Sequence, residues 1–249
     1  MKNDEASYNS ALRWLPPLMR AGLPIPRTEI VLVDEAGHAA LEEALDRSRE
    51  AGAEFQAVLQ TMRAAALRIG YPVFVRSDQV SAKHWGEEEC RAGNEREIGR
   101  VMASAFEACY MADQEFRAYL VREFLALRGA FRMHNGLLVA REWRLFADAA
   151  TAPCAHFYWE WEALEERVAP ERVADWETLS AALSSEDERA LGKLARAAVM
   201  AVNADLGLSP ETAWSVDFAQ RAAGGWVLID MALAQDSWHP AHEPEIAAG

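Results

Sequence analysis

The chain has 249 residues, with 25 Lys+Arg against 39 Asp+Glu and a formal charge of −14. Hydrophobic residues make up 51% and charged residues 26%, the composition of a folded protein with length for one large domain or two lobes. So negative a chain is excluded as a general binder of nucleic acid or anionic lipid, and its longest stretch without Asp, Glu, Lys or Arg, Ala149 to Trp159, is 11 residues, too short to span a bilayer.

Met1-Lys2-Asn3-Asp4-Glu5 holds no apolar core of an export signal. Cys90, Cys109 and Cys154 are odd in number and far apart, without metal-knuckle or redox spacing. The expectation is a cytoplasmic protein with three unbridged thiols.

In chain order, Leu23-Pro24-Ile25-Pro26-Arg27-Thr28 punctuates the chain before a strand, Glu29 to Val33. Apolar residues at helical spacing predict helix from Ala39 to Ile69, in two pieces around Gly52 and closed by Gly70. A strand, Pro72 to Arg76, and a polar loop, Ser77 to Gly86, precede a helix from Asn94 to Ala112. Strands are expected over Tyr119–Leu127, Phe131–His134, Leu137–Ala147 and Cys154–Trp159. Helical stretches follow over Trp161–Leu183 and Ser185–Leu206, the second opened by a capping box of Ser185 and Glu188. Strands Trp214–Gln220 and Trp226–Leu233 flank a Gly224-Gly225 turn. Helices mixed with mostly antiparallel strands make the fold class α+β.

The sequence contains no G-x-G pair, phosphate loop, G-x-S-x-G elbow or H-E-x-x-H. His239 and His242 have H-x-x-H spacing, but beside Pro240 they read as a surface tail. Stronger signals lie in four segments. Asp217 and Asp230 each stand inside an apolar strand, and pairing about the glycine turn places them opposite one another on one face. Buried carboxylates require partners, and either a divalent cation or arginines would serve. Arg76 ends an apolar strand, and Lys83 follows in a chain that has only two other lysines, Lys2 and Lys193. Lysine is a compact charge suited to phosphate oxygens, or to an ordinary solvated loop. Arg122 and Glu123 interrupt a third strand. Glu142 and Arg144 share one face of a fourth, as a substrate platform or a salt-bridge ladder.

Together and in order, Phe74-Val75-Arg76-Ser77-Asp78 with Ser81-Ala82-Lys83-His84, Val121-Arg122-Glu123-Phe124-Leu125, Arg141-Glu142-Trp143-Arg144-Leu145-Phe146, Trp214-Ser215-Val216-Asp217-Phe218 and Leu228-Ile229-Asp230-Met231-Ala232 resemble the ATP-grasp superfamily. The likeness is to R2K-type ATP-grasp proteins of phage and bacteria, related to the cell-division-cycle 123 family, and it covers about residues 72–240. It implies an ATP-grasp fold of two lobes with a nucleotide cleft between them. Residues 1–118 would form an N-terminal lobe with the phosphate-contacting loop, 119–242 a C-terminal lobe with hinge strand and metal-binding hairpin, and 243–249 a tail.

The resemblance implies ATP and Mg²⁺ as cofactors. Arg76 and Lys83 would contact phosphates. Arg122 and the hinge residues Glu123, Phe124 and Leu125 would line the nucleotide, and Asp217 and Asp230 would bind Mg²⁺. Arg144, with Lys83, would stabilise the transferred phosphoryl group. One departure is Ala232, where many of these enzymes place a metal-binding asparagine; Gln235 and Asp236 are the substitutes at hand. The implied activity is ligation of a carboxylate, in a small molecule or peptide, to an amine or other nucleophile. The alternatives are an ATP-binding assembly factor acting on a protein partner and a phosphotransferase; no nucleic acid or membrane partner is expected.

Overall fold

The computed structural model describes residues 7–45 and 52–239. In chain order the elements are α1 (Ala11–Arg20), β1 (Thr28–Leu32), α2 (Glu35–Leu45), α3 (Ala53–Ile69), β2 (Val73–Ser77), β3 (Arg91–Ala92), α4 (Ile98–Met111), β4 (Ala118–Glu123), β5 (Gly129–Arg132) and β6 (Leu138–Ala140). They continue with β7 (Glu142–Ala147), β8 (Cys154–Phe157), α5 (Trp161–Leu164), α6 (Val173–Ser180), α7 (Ser185–Leu206), β9 (Trp214–Gln220) and β10 (Trp226–Leu233). Among the described residues no helix is long and apolar enough to cross a membrane.

The chain divides into two compact units. One is Pro26–Leu125 with His134–Leu137. Its antiparallel sheet has the order β1-β4-β2-β3. β4 is central, so Ala118 through Arg122 are all buried. Helices α2, α3 and α4 cover the sheet: Leu59, Met62, Ala66 and Ile69 of α3 and Ile98, Val101, Met102 and Ala105 of α4 meet Val73, Val75 and Val121 in one apolar core. Gly52 caps the start of α3. Gly70 ends it at φ 91°, a backbone region favouring glycine, and donates its N–H to the Ala66 carbonyl at 2.8 Å. Residues 46–51, where the two predicted helical pieces would join, lie outside the described residues.

The other unit comprises the described parts of Met1–Ile25, Ala126–Met133 and Leu138–Gly249. Its antiparallel sheet runs β10-β9-β7-β8, with β5 and β6 forming a separate hairpin. Alternation along β7 and β9 gives one apolar face, with Trp143, Leu145, Trp214, Val216 and Phe218 buried. Helix α7 packs on β7 and β9, burying Leu191, Ala195, Ala198, Val199 and Val202, and α1 packs on α7 and β10. The division falls after Leu125 rather than after residue 118, because β4 is hydrogen-bonded between β1 and β2. Residues 7–25 belong to the second unit through α1. The expected tail, 243–249, lies outside the described residues.

Four local expectations are corrected. The strand expected over Tyr119–Leu127 stops at Glu123, and the one over Leu137–Ala147 breaks at Arg141. Arg141 is buried and gives guanidinium hydrogen bonds to the Leu179 and Ala181 carbonyls at the C-terminal end of α6, where orphan carbonyls favour a cation. Burial holds its pKa below the usual arginine range. The helix expected over Trp161–Leu183 is only α5 and α6, separated by a 3₁₀ turn that opens at Pro170. The N-cap of α7 is Ser184, whose Oγ accepts from Asp187 N, not Ser185.

Asn203, buried near the end of α7, fixes the connection to β9. Its Nδ2 donates to the Ser209 and Thr212 carbonyls, each at 3.0 Å, and its Oδ1 accepts from Trp214 Nε1 at 2.8 Å. Asn203→Ala leaves the buried Trp214 Nε1 and two part-buried carbonyls without this partner and is expected to lower stability by about 1–3 kcal/mol, read from the midpoint of urea unfolding.

Candidate functional site

The face of the second-unit sheet opposite α7 carries charge. Strand register places Arg144 of β7 opposite Asp217 of β9 on one side and opposite His156 of β8 on the other, and Asp217 opposite Asp230 of β10. The row Asp230, Asp217, Arg144, His156 therefore crosses all four strands. A register shift between Leu228 and Asp230 makes this possible. Continued regularly from Leu228↔Phe218, the ladder would set Asp230 against Val216. One extra residue at Ile229 brings Asp230 opposite Asp217, as the sequence expected.

Arg144 grips Asp217 with two parallel hydrogen bonds, Nε to Oδ1 and Nη2 to Oδ2, both 2.8 Å. The side chains are 18% and 6% exposed, so this is a buried, bidentate pair. Nη1 donates to the Trp238 carbonyl at 3.3 Å, and the guanidinium lies over the Tyr158 ring, 5.0 Å from its centroid. Burial pulls the Arg144 pKa down, but the hydrogen bonds and charge of Asp217, with smaller contributions from Tyr158 and Asp230, raise it above the usual arginine value. Of the alternatives left open for Asp217, the arginine partner is present. Asp230 Oδ1 accepts from Met231 N at 3.1 Å. Ala232 faces Ser215, and Asp236 accepts from Asn9 Nδ2 at 2.9 Å.

Beside this row lie a cysteine read as an unbridged thiol, a histidine read as part of a surface tail, and a second histidine, a grouping the sequence did not single out. Cys154 and His156 sit two apart on β8, hence on one face, and His239 reaches them: Cys154 Sγ and His239 Nε2 are 3.4 Å apart. The legible signals were Cys-x-His alternation inside a predicted strand and the H-x-x-H spacing of His239 with His242, which was read as a surface tail; nothing local joined the two. His242 lies outside the described residues. Trp176 Nε1 donates to the Trp159 carbonyl and its ring packs on Trp161, which makes these tryptophans partners of one another.

In the Pro26–Leu125 unit the expected phosphate loop is a tightly bonded turn. Arg76 is 4% exposed and donates Nε to the Ser77 carbonyl and Nη2 to the Gln79 carbonyl, both at 3.1 Å. Ser77 Oγ accepts from Gln79 N and Val80 N. The buried Asp78 accepts from Arg117 N and Ala118 N, fastening the turn to the start of β4. Lys83 lies on a 3₁₀ turn, Ala82–Trp85, started by Ser81 Oγ accepting from Lys83 N. Lys83 is only half-buried. The turn is held by Asn135, whose Nδ2 donates to the His84 carbonyl at 3.0 Å.

Arg122, on β4, is buried opposite Thr28 and Phe74. Glu123 accepts from Arg27 N and Arg27 Nε. Phe124 N donates to the Pro72 carbonyl at 3.3 Å, and the Arg91 guanidinium lies 5.2 Å from the Phe124 ring centroid. Glu123, Phe124 and Leu125 are half-buried and end this stretch of the unit.

Asp217→Ala leaves a buried guanidinium without its carboxylate and is expected to cost about 3–5 kcal/mol, whereas Asp230→Asn, at a less buried site, costs about 1 kcal/mol or less. Denaturant unfolding of the two variants checks the contrast. Gly86 has φ 147°, and a Cβ there would stand 2.8 Å from the Asn135 carbonyl oxygen. Gly86→Ala is therefore expected to lower stability by about 1–3 kcal/mol in the same assay.

No protein-family model matches the chain, and no curated protein matches it. Solved structures do. C-terminally truncated Cdc123 from Schizosaccharomyces pombe is 10% identical, with 91% of this chain and 83% of that one covered and a TM-score of 0.55. The biotin carboxylase domain of 2-oxoglutarate carboxylase from Hydrogenobacter thermophilus, solved with MgADP, ADP and bicarbonate, is 16% identical over 94% of this chain, with a TM-score of 0.51. A RimK-domain ATP-grasp protein from Sphaerobacter thermophilus is 15% identical over 92%, with a TM-score of 0.46. The chain spans 59% of the RimK-domain protein and 41% of the biotin carboxylase domain. With its two antiparallel sheets and their helices, the chain has the ATP-grasp fold, shared with Cdc123.

Proposed function

We propose that the chain binds ATP with Mg²⁺ and acts as a carboxylate–amine ligase. A substrate carboxylate oxygen attacks the γ-phosphorus and ADP leaves. An amine, or another nucleophile, then attacks the acyl carbon, loses its proton, and phosphate departs. The observation that carries this reading is the row Asp230, Asp217, Arg144 on one face of an ATP-grasp sheet.

The donor set fits Mg²⁺, which takes one or two carboxylates and completes its shell with phosphate oxygens and water. Asp217 engages Arg144 through both oxygens, yet each retains a second lone pair. Asp217 and Asp230 would hold the ion, which when bound neutralises charge on the nucleotide phosphates. Ala232 offers no third ligand, consistent with a single ion. Arg144, fixed by Asp217, the Trp238 carbonyl and the Tyr158 ring, presents a permanent positive charge, and electrostatic stabilisation of transferring phosphoryl groups needs such a preorganised cation.

Lys83 is the phosphate contact in this reading. Arg76, bonded to two carbonyls of its own turn, shapes the loop preceding Lys83 and adds positive potential. Glu123 takes the ribose, and the backbone at Phe124 and Leu125 the adenine. Arg122 and Glu142 belong to the substrate side, for a small-molecule or peptide carboxylate, in the cytoplasm.

A second reading, an ATP-binding assembly factor with a protein partner, is favoured by the coverage of Cdc123, 83% of whose chain aligns. ADP release with a covalently joined product supports the ligase. Nucleotide binding without turnover, with a co-purifying protein, supports the assembly factor.

Saturating MgATP is expected to raise the melting temperature by roughly 5–10 °C at a hundredfold excess over Kd. Lys83→Ala is expected to diminish the shift far more than Lys193→Ala, and Asp230→Asn to abolish its dependence on Mg²⁺ with the fold retained. No shift with ATP or ADP and Mg²⁺ would remove nucleotide binding altogether.

A further inference from the structure

We propose that Cys154, His156 and His239 form a binding site for a borderline transition-metal ion of the Zn²⁺ class. Their candidate ligand atoms all lie within 4.8 Å of one another. In a tetrahedral zinc site the bond lengths imply ligand separations of about 3.6 Å for S···N and about 3.4 Å for N···N. The Cys154 Sγ to His239 Nε2 separation, 3.4 Å, is already of this size. The remaining separations close by at most about 1.4 Å, within reach of side-chain rotation.

The fold supplies each ligand from a fixed element. Cys154 and His156 share a face of β8, where β7 sets Phe146 opposite Cys154 and Arg144 opposite His156. His239 follows β10 on a segment held at two points. Ser237 Oγ is hydrogen-bonded with Ser215 Oγ at 2.5 Å and donates to the Leu233 carbonyl at 3.1 Å. The Trp238 carbonyl accepts from Arg144. The Phe146 ring walls one side, with centroids 4.5 Å from His239 and 6.1 Å from His156, and all three ligands are half-buried. A thiol–imidazole hydrogen bond would account for Cys154 with His239 but not for a second imidazole, its ring centroid 4.5 Å from that of His239.

The donor set selects the ion. One thiolate and two imidazoles suit Zn²⁺ and its neighbours, whereas Mg²⁺ and Ca²⁺ require oxygen. Three protein ligands leave a fourth position for water or an exogenous group. Binding transfers the Cys154 thiol proton to solvent as the sulfur–metal bond forms, so affinity falls as pH is lowered. None of the three ligands is among the residues assigned to ATP or Mg²⁺.

The test uses the full chain, chelator-stripped and reduced, titrated with Co²⁺ as a spectroscopic stand-in for Zn²⁺. One equivalent is expected to bind, with thiolate-to-cobalt charge transfer in the near ultraviolet and tetrahedral ligand-field bands in the visible. Zn²⁺ should displace it stoichiometrically, and excess Mg²⁺ should not. Cys154→Ser should abolish the charge-transfer band and weaken Zn²⁺ by at least about tenfold, that is about 1.4 kcal/mol. His239→Gln, beyond the last strand, should lose the tetrahedral bands with an unchanged far-ultraviolet dichroism spectrum. Absence of a charge-transfer band in the unaltered chain, its persistence in Cys154→Ser, or equal Zn²⁺ affinity in that variant would each overturn the proposal.

Discussion

The buried pair of Arg144 and Asp217 is the constraint on which the charged sheet face depends. Directly opposite side chains on antiparallel strands stand about 4.5–5.5 Å apart at Cβ. Two carboxylates at that spacing repel by about 3 kcal/mol at an effective dielectric constant of roughly 20. Asp217 and Asp230 are opposed in this way, and the guanidinium on the far side of Asp217 provides the opposing attraction. The apolar face beneath them is packed on α7, so a slip of one residue would turn these charges into the core and bring the core to the surface. Register, burial and charge are therefore specified together, and the extra residue at Ile229 is the local irregularity by which the hairpin satisfies all three.

The two cations read alike in the sequence are held differently. Arg76 has the forked, planar donor set that can bond several carbonyls, and it bonds two in its own turn. Such a residue rigidifies a loop whether or not an anion arrives. Lys83 has a single compact charge on a flexible stem, and its backbone rather than its ammonium group is engaged by Ser81 Oγ. In the function proposed, the division of labour, arginine for shaping and lysine for contact, follows from side-chain geometry.

What the sequence revealed depended on range. Helix α7 has its expected bounds because a long amphipathic repeat and an α-left Gly207 mark it locally. The Asp217–Asp230 pairing was legible because a short turn ties the two strands. The choice between metal and arginine as the partner of Asp217 was not, because Arg144 lies on a strand 73 positions earlier and only the sheet order brings it alongside. Strand breaks at Arg141 and after Glu123 were missed for a related reason. Apolar periodicity runs through both points, and what sets Arg141 apart is the tertiary contact of its guanidinium with the end of α6. The cluster of Cys154, His156 and His239 is the extreme case, with 85 positions between its ends and a proline after the last member.

The layout of the face carries one more consequence. Hard oxygen donors occupy β9 and β10, soft sulfur and nitrogen donors occupy β8 and the segment after β10, and Arg144 stands between them on β7. Ions sort between such sets by ligand softness: Mg²⁺ gains little from thiolate and imidazole, and Zn²⁺ gains more from them than from two carboxylates already engaged elsewhere. The guanidinium also raises the cost of an ion drifting from one set to the other, since a cation passing it meets like charge in a partly desolvated setting. Arg144 is bonded at once to Asp217 and to the carbonyl next to His239. A change in the position of that one side chain would therefore be felt by both donor sets.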